Sequence, residues 1–234
     1  MGNIKTLVQT GPGAATLAYA YLTGSNQLQT VTNNGGAYRS YGYDANGNAT
    51  SDGGRKAFSY NLLNLPRSVT SGSTTLAGYT YSATGEKLRN TGSDGNTWEY
   101  IDGIVINTNP AGATIAQFVQ TEEGRAVLQS GAYHYEYNLK DQLGNVRASF
   151  DKGPSSGLAR EIQEDEYYAF GLRKSDYDLS NNNRYLYNGK ELQNDLTNQY
   201  DYGERLYDPV IGRWNVVDPK AEKYFGITLL MLCR

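Results

Sequence analysis

Apolar and polar residues alternate along this chain in short stretches, and clusters of Gly, Asn, Asp and Ser interrupt the alternation about every ten positions. A period of two marks a half-buried strand, because successive side chains point to opposite faces. No stretch sustains the 3.6-residue apolar period of an amphipathic helix. "YGYDANGN", residues 41–48, shows the unit in miniature. Both rings fall on one face of a strand, Asp44 and Asn46 favour a turn, and Gly47 supplies a positive φ. The pattern predicts an all-β chain built as an antiparallel β-hairpin meander, with a short C-terminal helical turn within residues 209–224.

The unit recurs as "YAYLTGSNQL", "YGYDANGNAT", "FSYNLLNLPR", "YTYSATGEKL", "WEYIDGIVIN" and "YEYNLKDQLGNV". The second ring of each pair is Tyr21, Tyr43, Tyr60, Tyr81, Tyr100 and Tyr137, at intervals of 22, 17, 21, 19 and 37 residues. The last interval spans two periods and places a degenerate copy in "IAQFVQTEEGRAVLQS". A repeat of this length holds two strands and two turns and is too short for a helical pair with its loops. The expectation is hairpins side by side, with the rings of neighbouring copies stacked into a ladder in which Tyr43, Tyr60 and Tyr81 are equivalent rungs. Tyr177, in the polar "SDYDLSNNN", is expected in a loop.

Composition narrows the chemistry. A formal net charge of −3 with scattered Lys and Arg offers nothing to a phosphate backbone or an anionic membrane. One cysteine, Cys233, excludes an internal disulfide framework, and one histidine, His134, leaves no His-based metal cluster or triad within the chain. "DANGNATSDGGR" fails as a calcium loop, since Ala49 and Arg55 stand where Gly and Glu are required. No cofactor and no metal are therefore expected. The N-terminus lacks the apolar core of a signal peptide, and "ITLLMLC" is too short for a membrane span.

The copies resemble the YD repeats of RHS (rearrangement hot spot) proteins, toxin-complex C subunits and teneurins. A tyrosine is followed by Asp44, Asn61 or Ser82, with Gly or Asn three residues on. The C-terminal third is similar to the RHS-repeat-associated core through "DQLGNVR" (Gly144, Asn145, Arg147), "YYAFG" (Gly171) and "NGKE" (Gly189, Lys190, Glu191). "DPVIGRWNVVDP" adds Asp208, Pro209, Gly212, Arg213, Trp214, Asp218 and Pro219. The resemblance covers residues 17–224 and divides the chain into a YD-repeat strip (1–132), a core (133–224) and an atypical apolar tail (225–234). It implies a spiral sheet wound into a hollow shell, with the core rolled inward as an end plug. By the same resemblance the protein is a structural shell segment of a bacterial polymorphic-toxin-type protein, secreted or at the cell surface. Its implied partners are preceding repeats of a longer parent, further copies of itself and an effector polypeptide absent from this chain.

An Asp-Pro pair is a good start for a turn or helix: the acid caps and the proline takes the first position. "DPKAEKYF" accordingly reads as a short helix capped by Asp218. Family members cleave themselves downstream of this block with paired carboxylates, and Asp218 and Arg213 match its first Asp-Pro and its GRW arginine. This chain instead continues "FGITLLMLCR", which reads as a truncated end without the second acid or the cleavage point. Asp218 is thus expected as a vestigial, structural residue, Asp208 as a turn former, and the chain as no enzyme. The alternative reading is a cell-surface adhesion or carbohydrate-binding module that uses exposed tyrosines.

Overall fold

The computed structural model describes residues 3–11, 14–178, 183–193 and 198–221. The first sheet holds β1 (Thr6–Gln9), β2 (Ala15–Tyr21), β3 (Leu28–Asn33) and β4 (Gly36–Ser40). A 12-stranded sheet opens with β5 (Lys56–Tyr60), β6 (Pro66–Ser71), β7 (Thr74–Tyr81), β8 (Lys87–Gly92), β9 (Thr97–Ile101) and β10 (Ile104–Thr108). It continues through β11 (Thr114–Thr121), β12 (Gly124–Gln129), β13 (Ala132–Lys140), β14 (Val146–Lys152), β15 (Ala159–Tyr167) and β16 (Arg173–Asp178). A small third sheet holds β17 (Glu191–Leu192), β18 (Tyr200–Asp201), β19 (Leu206–Asp208) and β20 (Arg213–Trp214). Within each sheet, strands adjacent in sequence are adjacent in space and antiparallel. The fold is an all-β hairpin meander.

One turn builds much of it. At residues 44–48, 61–65, 82–86, 92–96, 109–113, 141–145, 168–172 and 186–190, the first N–H donates to the fifth carbonyl and the fourth N–H to the first carbonyl, at 2.8–3.1 Å. The fourth residue is Gly or Asn64 and always has positive φ, between +59° and +90°. In five copies the first side chain (Asp44, Asn61, Ser82, Asn109 or Asp141) also accepts from the third and fifth N–H groups. A short acceptor followed three residues later by a residue tolerant of positive φ is what this turn demands.

In most copies the first ring points to the face that becomes the core: Tyr19, Phe58, Tyr79, Trp98 and, in the degenerate copy, Phe118 are all buried. Three of the second tyrosines reach neighbouring backbone instead of stacking on the next copy. Tyr21 donates to the Ile4 carbonyl at 2.6 Å, Tyr43 to Leu28 at 2.9 Å and Tyr60 to Ala49 at 2.6 Å. Rings of successive copies sit two strands apart, about 9.6 Å, beyond the ~4.5–7 Å of a ring pair. A phenol hydroxyl spans that gap to intervening backbone where a ring cannot. Among the described residues, only Trp98 and Phe118 make a ring contact between successive copies of the repeat, at 6.4 Å between centroids.

Two further expectations change. Tyr137 is no rung: β13 turns Tyr133, Tyr135 and Tyr137 outward and sets Glu136 inward, 2.6 Å from Arg125. The backbones approach so closely here that a Cβ on Gly124 would collide with the Glu136 carbonyl. Tyr177 lies in β16 rather than in a loop. A 3-10 turn is assigned at Tyr187–Gly189, and Ala221, within the expected 209–224 helical turn, is also 3-10. After Asp218 the chain turns as far as Ala221, and Glu222 with the rest of the expected helix and tail lies outside the described residues.

Candidate functional site: the seat of the C-terminal sheet

Residues 183–193 and 198–218 fold back onto the inner face of both larger sheets. Their own core is Leu186, Leu192, Tyr200, Tyr207 and Trp214. From it, apolar side chains enter the three hydrophobic patches of the strip. Ile211 packs with Leu17, Tyr19, Leu28 and Val31; Leu206 with Phe58, Val69, Ala77 and Tyr79; Tyr185 with Trp98, Val105 and Phe118. This segment thus covers the apolar patches of the strip's inner face.

Polar side chains fix the docking between those patches. The Lys87 ammonium lies 2.6 Å from both Glu191 and Asp201, and the Tyr100 hydroxyl donates to Glu191 at 2.8 Å. Arg184 stands 3.8 Å from Glu191 and over the Trp98 ring, 4.6 Å from its centroid. Burial alone would raise the Glu191 carboxyl; the charges of Lys87 and Arg184 and hydrogen bonds from Lys87 and Tyr100 hold it below its ordinary value. Lys87 is pushed the other way, well above the usual lysine range, because its two carboxylates outweigh desolvation.

A second lock sits at the other end. Asp208 accepts from Arg39 at 2.5 Å and caps its own turn through the Val210 N–H at 2.9 Å. Arg213 donates to the Tyr21 hydroxyl and to the Asn26 carbonyl. Asp218 pairs with Arg205 at 2.9 Å and accepts from the Lys220 N–H, while Arg205 lies over Trp214.

Motifs far apart in sequence meet here. Asn145 accepts from the Asn188 N–H at 2.8 Å, joining the turn of Gly144 to that of Gly189. Gly171 passes so close to Tyr187 that a Cβ would lie 2.5 Å from its ring, and Gly212 packs likewise on Phe170. Arg147 and Lys190 lie over the rings of Tyr167 and Tyr202. Trp214 meets Tyr202 edge-on at 4.8 Å. Pro209 is buried and Pro219 exposed. Asp44 and Tyr81 remain in the strip: Asp44 folds its turn, and Tyr81 stacks on Tyr79 in the same strand.

Sequence reasoning missed Arg39, Lys87, Arg184 and Asp201. One signal was present for Lys87. It immediately follows its turn, where the turns at 61–65 and 141–145 are followed by buried Pro66 and Val146. A cation at an inward apolar position asks for a buried partner.

Fold and seat together define a β-hairpin repeat strip covered by its own C-terminal sheet. The chain is similar to the toxin subunits YenC1 and YenC2 of Yersinia entomophaga, each 32% identical over 152 residues, covering 58% of this chain and 15% of the relative. In fold it matches the solved TcdB2-TccC3-TEV structure with a TM-score of 0.67 at 20% identity, over 93% of this chain and 13% of that one. The Photorhabdus luminescens Tc holotoxin pore matches with a TM-score of 0.67 at 19% identity, over 93% and 12%. The chain spans about 15% of the length of the curated relatives it matches. No family model matches it. No helix among the described residues is long and apolar enough to cross a membrane.

Proposed function

We propose that this chain is a wall-and-plug segment of a secreted, bacterial RHS-type toxin shell. The strip forms wall, and residues 183–221 act as the inward plug that closes one end of the enclosed space. The observation that carries this reading is the seat itself: each hydrophobic patch of the wall receives a side chain from the plug, and Lys87 and Arg39 lock it in place. Similarity to toxin subunits supplies the context. By analogy with the TcdB2-TccC3 pairing, its partners are further hairpin-repeat segments that continue the wall, and an effector polypeptide occupies the space within.

The reading assigns Asp218 a structural role, since Arg205 and the following turn engage its carboxylate. Co-expression with neighbouring repeat-bearing segments, followed by electron microscopy, tests the shell. A hollow particle with this segment across one end is expected, and a solid particle or no association rejects it. Intact-mass analysis tests the absence of self-processing: a shorter product that disappears in Asp218→Asn restores an enzymatic role.

The outward Tyr133, Tyr135 and Tyr137, 46–56% exposed, favour a second reading as an adhesion or carbohydrate-binding surface. Glycan-array binding lost in Tyr135→Ala would support that reading over the first.

A further inference from the structure

Strands β17 and β18 of the plug set Glu191 directly opposite Asp201, a like-charge pair that a β-ladder ordinarily avoids. Lys87 of the wall reaches between them, its Nζ 2.6 Å from Glu191 Oε2 and 2.6 Å from Asp201 Oδ2. The side chains of Lys87, Glu191 and Asp201 are only 11%, 5% and 10% exposed. The Tyr100 ring centroid lies 4.2 Å from the ammonium. A buried salt bridge requires one carboxylate; this one has two, at equal distance.

The two acids are held differently. Glu191 is fixed by the Tyr100 hydroxyl at 2.8 Å and has a second cation, Arg184, at 3.8 Å. Asp201 has Lys87 as its one ion-pair partner among the described residues. Its other oxygen, Oδ1, accepts from the Gly203 N–H at 2.8 Å, which polarises the carboxyl group. With Oδ2 at 2.6 Å, the Asp201 carboxyl carbon stands roughly 3.5 Å from Nζ, the separation of a near-attack arrangement. An amine nucleophile, a carboxyl group and a positioned acid–base thus meet in one largely buried site. With little hydration left to either charge, a neutral amine and acid compete with the ion pair more closely than they do in water.

We propose that Lys87 and Asp201 condense into an isopeptide bond that ties the plug covalently to the wall, with Glu191 relaying the protons. The Nζ–Cγ bond forms and the Cγ–Oδ2 bond breaks. Of the three ammonium protons, one stays on the amide nitrogen. Glu191 passes the other two to Oδ2, which leaves as water, and nothing is oxidised or reduced. Oδ1 becomes the amide oxygen, and the Gly203 N–H faces the charge that develops on it during attack. The charges also balance: Lys87 and Asp201 are neutralised together, and Glu191 keeps Arg184. The ion pair is the state that precedes the bond. Lys87 holds its proton firmly there, so proton transfer to Glu191 paces the reaction. The inference rests on the seat of the plug and does not depend on the shell reading.

The test is tryptic peptide mapping of the purified full chain after prolonged incubation in the folded state. Trypsin does not cut after an acylated lysine, so the bond is expected as a branched peptide joining residues 68–89 to 191–205, lighter than the two together by one water. The intact chain should lose the same water. Asp-Gly sequences such as Asp94-Gly95 also lose water by cyclising, so the branched peptide decides. Lys87→Arg and Asp201→Ala should yield no branched peptide, and Glu191→Gln should slow its appearance at least tenfold. If these variants do not fold, the wild-type map alone decides. Unlinked peptides, one ending at Lys87 and one spanning 191–205, with no branched product from the folded wild-type chain, overturn the proposal. So does a branched product that persists in Asp201→Ala or forms at the wild-type rate in Glu191→Gln.

Discussion

At the scale of single residues, stability concentrates where the plug's charges meet the wall. Lys87 separates two buried carboxylates, and removing one partner of a buried ion pair leaves an uncompensated charge. Lys87→Met is therefore expected to cost about 3–5 kcal/mol in urea unfolding, and adding Glu191→Gln and Asp201→Asn should restore much of that. The linkage has a definite sign. Glu191 is held below its ordinary 4.5, so its contribution is complete above that pH and is lost as pH falls through the folded value. Glu191→Gln should flatten that acidic limb of the stability curve; an unchanged limb would mean that other carboxylates govern it. The tyrosines supply a second contrast. Tyr60→Phe loses one hydroxyl-to-carbonyl bond, worth about 0.5–1.5 kcal/mol. Tyr137→Ala, at a position 53% exposed, should change stability within about ±0.5 kcal/mol by the same measurement. The two residues look alike in sequence. Alternation places a Tyr-x-Tyr pair on one face without saying which face, and the inward choice in β13 is made by Glu136 meeting Arg125 across the sheet.

At the scale of elements, the hairpin turn was the most legible feature and the small sheet the least. The turn is local: an Asx-type acceptor, two free positions, then Gly or Asn with positive φ, all within five residues. Strands β17 to β20 are only two or three residues long, too short for any periodic pattern, and they exist because the wall below them is apolar. Glycines of the turns separate the local requirement from the tertiary one. Gly112 has φ of +83° and nothing within 4 Å of a Cβ, so Gly112→Ala should cost only the backbone term of about 1–2 kcal/mol. Gly112→Asn should cost less, because Asn64 occupies the same place in its own turn at φ +59°. Gly171→Ala carries the same backbone term and also drives a methyl into the Tyr187 ring, displacing a plug residue. Thermal unfolding should rank the three as Gly112→Asn, Gly112→Ala, Gly171→Ala in order of increasing damage. Equal losses at Gly112 and Gly171 would show that the ring contact carries no energy.

At the scale of the whole molecule, a chain poor in aliphatic residues is held together by phenols, and that choice sets its response to alkali. The sequence contains 21 tyrosines, and their number announced half-buried sheet faces without revealing that many of the hydroxyls are enclosed. Burial raises the phenol pKa of Tyr19, Tyr21, Tyr41, Tyr43, Tyr60, Tyr79, Tyr81, Tyr100, Tyr167, Tyr185 and Tyr200 above the ordinary 10.0. A group whose folded pKa is raised contributes stability that is complete below its unfolded pKa and is lost as pH rises towards the folded one. Each of these except Tyr21 and Tyr43, whose shifts are smaller, withdraws about 0.4 kcal/mol at pH 10 and about 1.4 kcal/mol at pH 11, because the unfolded phenol ionises while the folded one does not. Even if half of that is discounted for partial exposure, the combined loss across this set reaches the ~5–15 kcal/mol of an ordinary domain by about pH 11. The chain should therefore unfold cooperatively between about pH 10 and pH 11. Phenolate absorbance should rise in the same step as the β-sheet circular dichroism is lost. Replacing Tyr60 with Phe should move that midpoint slightly upward relative to the variant's own neutral-pH stability, because one ionisable site is gone. A smooth phenolate titration completed well before the sheet signal changes would show that the hydroxyls are open to solvent and that the clamps between copies do not hold.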